Sequence, residues 1–305
     1  MQRLHLLHRA KSFLIDKRPK GFGRVLKAID AIFFKNLPDG ELLIKTLDGF
    51  LLFINPKYDK GIERKLYLTG SYEKGLLQVL DKLINPGDVI VDAGANIGLI
   101  SIFCARRVGD KGFILSFEPH PETFPILQKN IAVNGIKQVE AYNKALGSGK
   151  GMAKIYSNLQ INRGAASLVE FQKDSPSFDI EVVTLDNILK ERNIGKVNLL
   201  KIDVEGFEME VLKGTQGILS QKEGPILVIE CSSDRNNFNY NTEDLFHFLT
   251  HLNGYMIYKF SLSKEKISKL VSVQKAYELP HHDNILAFKD THLKKILNKH
   301  ILFET

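Results

Sequence analysis

The chain has 305 residues, of which 44% are hydrophobic and 25% charged, and it carries a formal net charge of +7. That length holds one α/β domain plus a smaller accessory region, and the composition excludes wholesale disorder. The positive balance names no partner by itself, because nucleic acid, an anionic membrane surface and an acidic substrate would all be drawn to it.

At the N-terminus Arg3, Arg9, Lys11, Lys17, Arg18, Lys20, Arg24 and Lys27 meet a single acid, Asp16, before Asp30. The apolar residues among them, Leu4, Leu6, Leu7, Phe13 and Leu14, are too few and too interrupted for a secretory segment or a membrane span. A basic helix packed on the protein's own body is expected, with peripheral membrane contact through this basic N-terminus left open. No nucleic-acid partner is expected, and the oligomeric state is not legible.

Leu42 to Leu47 and Phe50 to Ile54 read as two strands around Asp48-Gly49, a pair that favours a type I′ hairpin turn because both central positions take positive φ. A helix with apolar period follows through Leu76, Leu77, Val79, Leu80 and Leu83, and Pro86-Gly87 ends it. These signals divide the chain into an N-terminal helix-and-hairpin extension over 1–75 and a main domain over 76–305.

The main domain alternates. Strands are expected at 89–91, 113–117, 139–142, 197–202, 226–230, 256–260 and 285–288, and helices at 97–105, 121–133, 207–219 and 243–252, with Pro121 near the first turn of its helix. Such alternation predicts an α/β fold with a seven-stranded, mainly parallel sheet and helices on both faces. The stretch from Ser157 to Phe178 is long for a connection inside such a domain and suits an acceptor-binding loop in which Arg163 would clamp an acidic or polyhydroxylated group. The plainer alternative is a surface excursion flanked by antiparallel strands at 152–156 and 180–183. Cys104 and Cys231 sit in apolar runs, as reduced, packed cysteines do. With no targeting segment read, they favour the cytoplasm and no disulfide or zinc site.

The chemistry concentrates where strands end. Val89-Ile90-Val91-Asp92-Ala93-Gly94-Ala95-Asn96-Ile97-Gly98 is an apolar strand running into a glycine-rich turn that opens a helix, so a nucleotide-type ligand is implied. A dinucleotide fingerprint would read Gly-x-Gly-x-x-Gly. Here Asp92 precedes a lone Gly94 and position 96 is Asn, and an acid facing the ligand repels a pyrophosphate but binds an ammonium. S-adenosylmethionine carries both an ammonium and a sulfonium. Glu118, at the end of the next strand and twenty positions after Gly98, suits both ribose hydroxyls. Asp203 and Glu205, in Lys201-Ile202-Asp203-Val204-Glu205-Gly206, end a further strand and should stand beside the Asp92 turn. Capping of the helix that follows is the structural alternative, chiefly for Glu205.

Taken together, the Asp92 to Gly98 run, Phe117-Glu118-Pro119, Thr184-Leu185-Asp186, the Lys201 to Gly206 block with Leu212-Lys213-Gly214, and Ile229-Glu230 resemble the ordered motifs of FkbM family methyltransferases. Ser71-Tyr72-Glu73 and Asn284-Ile285-Leu286 are similar to the family's flanking features, and the resemblance covers about residues 40 to 290. Ala93 stands where the family often has valine. The resemblance implies a class I, Rossmann-like methyltransferase that moves a methyl group from S-adenosyl-L-methionine, usually to oxygen, in natural-product or glycan pathways.

On that reading Asp92, Gly94, Asn96, Gly98, Glu118 and Asp203 are cofactor residues. Asn143, after the third strand, is a candidate for the adenine or merely a strand end. Asp203 and Glu205 belong to the reaction end, with one of them or a histidine of His281-His282-Asp283, His282 in particular, as base. A divalent ion on Asp203 and Glu230 is a minor alternative, and no metal is expected. The rival readings are a nicotinamide-dependent oxidoreductase, against which the lone Gly94 counts, and a non-catalytic nucleotide-binding protein, against which Glu118, Asp203 and Glu205 together count.

Overall fold

The structure, a computed structural model, describes residues 2–17, 36–157, 167–168, 176–232 and 240–296. Among these an N-terminal helix, α1 (Gln2–Lys17), precedes an antiparallel hairpin of β1 (Leu42–Lys45) and β2 (Leu51–Ile54). The main sheet begins with β3 (Val89–Ala93), β4 (Phe113–Phe117) and β5 (Val139–Tyr142). Then β6 (Ala145–Leu146), β7 (Gly151–Tyr156) and β8 (Ser177–Val183) make a small separate sheet. The main sheet resumes with β9 (Leu199–Ile202), β10 (Ile226–Ser232), β11 (Met256–Phe260), β12 (Leu270–Val273) and β13 (His282–Phe288).

The spatial order of the main sheet is β12-β11-β13-β10-β9-β3-β4-β5. From β5 to β10 neighbouring strands are parallel, while β13 runs antiparallel to both β10 and β11. This is the expected α/β fold with a mainly parallel sheet, with one strand more than the seven expected. The eighth, β12, pairs antiparallel with β11; its run Leu270-Val271-Ser272-Val273 is too short for periodicity to identify.

Side chains alternate across the sheet, as its pleat requires. Ile90, Ile114, Leu199, Val228 and Leu286 join one buried cluster with Leu76, Leu80, Ile102 and Phe103. Val91, Leu115, Leu200, Leu227 and Ile285 join the other, with Leu185, Leu212 and Leu249. Both faces are therefore covered, and the strands read as continuous apolar runs. Ile44, Phe50, Leu52 and Ile54 of the hairpin belong to the first cluster.

The hairpin is docked by two asparagines of the helix after β4, which spans Phe124–Val133. Asn130 accepts from the Phe53 N–H at 2.6 Å, and Asn134 accepts from the Leu51 N–H at 2.9 Å and donates to the Leu51 carbonyl at 2.7 Å. These side-chain amides act toward β2 as the peptide groups of a neighbouring strand would.

Several boundaries differ from expectation for local reasons. The hairpin turn is not type I′, because only Gly49 takes a positive φ (89°) and the Thr46 N–H bonds to the Phe50 carbonyl, giving a longer loop. The helix after β4 starts at Phe124 with Pro125, rather than Pro121, in its first turn. The helix expected over 207–219 divides into Glu208–Lys213 and Gln216–Leu219. At the break a Cβ on Gly214 would lie 1.9 Å from the Gly147 carbonyl oxygen, so the chain passes too close to the small sheet for a side chain. The antiparallel strands flanking the 157–178 excursion are present as β7 and β8. Arg163 lies outside the described residues. No helix among the described residues is long and apolar enough to cross a membrane.

Candidate functional site

Strand register builds the site. Ala93 pairs with Phe117 on one side and with Ile202 on the other, so Gly94, Glu118 and Asp203 emerge side by side at the carboxyl edge of the sheet. Hydrogen bonds from the Gly94 N–H to the Phe117 carbonyl (2.9 Å) and from the Asp203 N–H to the Ala93 carbonyl (3.0 Å) hold that alignment. A cleft of about 360 Å³ opens there, the place where open α/β sheets bind ligands. Gly94, Asn96, Glu118, Asp203, Glu205 and His282 all line it.

At one end stands Glu118. Its carboxylate accepts the backbone N–H of Asn96 at 2.8 Å and of His120 at 2.9 Å. Burial pushes its carboxyl up to about 7, against the pull of those two N–H groups. Asn96 reaches Glu118 through a left-handed backbone (φ 49°), a conformation Asn tolerates better than most residues. Phe117, Pro119, Ala145, Leu146 and Ile155 supply apolar wall, so the small sheet closes this end.

At the other end four carboxylates and two lysines alternate. The Lys201 ammonium, 4% exposed, lies 3.2 Å from Asp203 Oδ2 and 3.4 Å from Asp92 Oδ1. That of Lys264 lies 2.9 Å from Glu73 Oε1 and 3.1 Å from Glu230 Oε1. Burial would raise Asp203, yet Lys201 and Lys264 outweigh it and hold its carboxyl at about 2. Burial also raises Glu73 despite Lys264. Both ammoniums stay charged, because the carboxylates beside them more than offset their desolvation. Asp203, Glu205 and Glu230 have carboxylate oxygens within 4.8 Å of one another. His282 lies at the cleft edge, its side chain 62% exposed and Nε2 3.9 Å from Glu230 Oε1.

Three of the residues expected at the ligand lie elsewhere. Asp92 is fully buried and does not line the cleft; it faces its register partner Lys201 and accepts from the Ser101 hydroxyl at 2.6 Å. An acid in the interior of a strand points into the layers, not past the strand end. Gly98 falls outside the lining; it takes a positive φ (92°) where the helix opens, and a Cβ there would also meet Leu127 Cδ1 at 2.6 Å. Asn143 also falls outside the lining and donates to the carbonyls of Glu118 (2.9 Å) and Pro119 (3.0 Å), so it fixes a strand end. Gly94 does line the cleft, but the closest constraint on it is the Asp203 carbonyl oxygen, 1.8 Å from where its Cβ would sit.

Lys201, Lys264, Glu73 and Tyr72 also line the cleft and were given no role from the sequence. Lys201 had a signal, a lone cation inside the apolar run Leu199-Leu200-Lys201-Ile202, which demands a buried partner. Lys264 had none, because Lys266 and Lys269 flank it in the same loop and nothing local separates the three. Glu73 is marked only by its backbone: at φ 48° it turns the chain into the helix Lys74–Leu83 with its side chain buried.

A family model described as the methyltransferase FkbM domain matches residues 92–257. Methyltransferase 1 of Beauveria bassiana is 28% identical over 193 residues, 56% of this chain and 74% of that protein. Hexuronic acid methyltransferase AglP of Haloferax volcanii is 27% identical over 162 residues, 53% of this chain and 64% of its own length. The 31-O-demethyl-FK506 methyltransferase FkbM of Streptomyces tacrolimicus is 30% identical over 214 residues, 61% of this chain and 77% of that one.

Proposed function

This chain belongs to the FkbM methyltransferase family, and we propose that it uses S-adenosylmethionine to methylate a hydroxyl oxygen of a glycan or small natural product. The observation that carries the reading is one cleft with opposed ends, an acid held on backbone N–H groups at one and lysine-paired carboxylates at the other. Two relatives are named for oxygen-bearing acceptors, a hexuronic acid and 31-O-demethyl-FK506.

The donor set fits the cofactor. Glu118 would accept the ribose hydroxyls, the apolar wall from Phe117 to Ile155 would take the adenine, and Asp203 and Glu205 would face the ammonium and sulfonium. When bound, the cofactor supplies a methyl carbon activated by a sulfonium; the acceptor oxygen forms the new bond, and the C–S electron pair stays on sulfur. The chain's own work is positioning and proton removal. Asp203, held ionised down to about 2, is a poor base. We assign the acceptor proton to His282, whose imidazole lines the cleft with Nε2 3.9 Å from Glu230 Oε1 and is free of the lysine pairing that occupies Asp203.

Calorimetric titration with S-adenosylhomocysteine and, separately, NAD tests the cofactor, and a labelled-methyl assay against glycan and metabolite fractions tests the acceptor. Binding of S-adenosylhomocysteine alone, with label in an alkali-stable ether, is the expected result. Binding of NAD in its place would overturn the reading.

A further inference from the structure

We propose that Lys264 is the resident cation of the transfer site, donating to the acceptor's attacking oxygen in the position a divalent ion would otherwise take on Asp203, Glu205 and Glu230. The inference rests on the methyl-transfer reading above and deepens it.

Three carboxylates with oxygens inside 4.8 Å are a plausible donor set for a hard cation. Here two of them are already committed to ammoniums, Glu230 to Lys264 at 3.1 Å and Asp203 to Lys201 at 3.2 Å. A divalent ion bonded at roughly 2.0–2.6 Å to these carboxylates would stand beside two ammoniums that already neutralise them, so the described residues do not fit a metal. They fit a lysine. An ammonium has three donors; two of those on Lys264 go to Glu73 and Glu230, and the side chain lines the cleft, leaving the third for a ligand.

Lys264 is also held as a preorganised donor should be. Its N–H donates to both oxygens of Asp283, at 3.1 and 3.2 Å, and its carbonyl accepts from the Leu76 N–H at 3.1 Å. The loop presses on the helix Lys74–Leu83 so closely that a Cβ on Gly75 would lie 2.2 Å from the Lys266 carbonyl oxygen. Beyond the loop the chain enters β12, whose pairing with β11 anchors both loop ends to the sheet. The eighth strand thus gains a purpose, which is to present Lys264 beneath the acceptor. A fixed cation there stabilises the negative charge that grows on the acceptor oxygen as its proton leaves for His282, and it does so without reorganisation. Atoms balance as in the transfer above: the oxygen gains the methyl carbon, the sulfur keeps the electron pair and the histidine keeps the proton.

The test compares the full-length protein with its Lys264→Met and Lys264→Arg variants. A Glu73→Gln/Lys264→Met double variant keeps charge balance if the single one does not fold. Mn²⁺ titration followed by electron paramagnetic resonance needs no acceptor. The wild type should bind no Mn²⁺, and the methionine variants should gain a site. All of them should still bind S-adenosylhomocysteine, because Glu118 and the apolar wall are untouched. On the acceptor found by the labelled-methyl screen, Lys264→Met should lower kcat by about 10²–10³-fold, Lys264→Arg should recover part of it, and EDTA should leave the wild type unaffected. Tight Mn²⁺ binding by the wild type, loss of its turnover in EDTA, or full kcat in Lys264→Met would each overturn the role of Lys264. Failure of the wild type to bind S-adenosylhomocysteine would instead overturn the methyl-transfer reading beneath it.

Discussion

The two ends of the cleft treat the same chemical group in opposite ways. Glu118 is buried with backbone N–H groups for company, and its carboxyl rises to about 7; Asp203 is partly buried beside Lys201 and near Lys264, and its carboxyl falls to about 2. Dipolar N–H donors compensate part of the desolvation, whereas full positive charges reverse it. The Glu118 end is therefore poised to take a neutral, hydroxyl-bearing ligand. The Asp203 end is a fixed charge lattice suited to a cationic ligand and to a transition state in which charge moves.

The sharpest way to break this contrast is to remove the cation shared by Asp92 and Asp203. Lys201→Met leaves the buried Asp92 without its cation and weakens the pairing of the partly buried Asp203, and should cost about 3 kcal/mol of unfolding free energy by urea denaturation. The pH sign follows from the depressed carboxyl. In the wild type Asp203 contributes stability above its ordinary value of 3.8, and that contribution is lost as pH falls toward 2. The acid limb of the variant should show this component reduced, because Lys264 remains.

Between the two ends sits Gly94. Its positive φ (77°) and the Asp203 carbonyl 1.8 Å from its virtual Cβ mean that Gly94→Val pushes β3 and β9 apart. A stability loss of about 3 kcal/mol is expected, with weaker S-adenosylhomocysteine binding as its consequence. A variant of wild-type stability that had lost only binding would show that the ligand, not the protein backbone, needs the space.

At the other end Glu118→Ala should weaken S-adenosylhomocysteine binding by about 1.5–3 kcal/mol without loss of fold. Because the ionised form is the better acceptor and burial places its midpoint at about 7, wild-type affinity should rise as pH passes upward through that value, and the variant should lose this dependence. The smallest effect belongs to Asn143→Ala, which removes two bonds to strand-end carbonyls and should cost about 1 kcal/mol of stability with affinity unchanged. A tenfold loss of affinity with stability intact would make Asn143 an adenine contact after all.

The sequence by itself determined the strand-and-helix alternation, the placement of Gly94, Glu118 and Asp203 at strand ends and the family, because apolar period and glycine-rich turns are local signals that the backbone must obey. Even there, Asp92 and Gly98 were assigned to the ligand when each serves the layers beneath it: a strand residue points into a helix layer, and a helix-opening glycine meets the neighbouring helix. Only the tertiary structure decided which charges meet. Glu73, Lys201, Glu230 and Lys264 come from four separate elements, and their pairing depends on register and on the β11–β12 loop folding back over the helix Lys74–Leu83. Electrostatic partners are chosen by distance in space and by burial, and neither quantity is written in the spacing of residues along a chain.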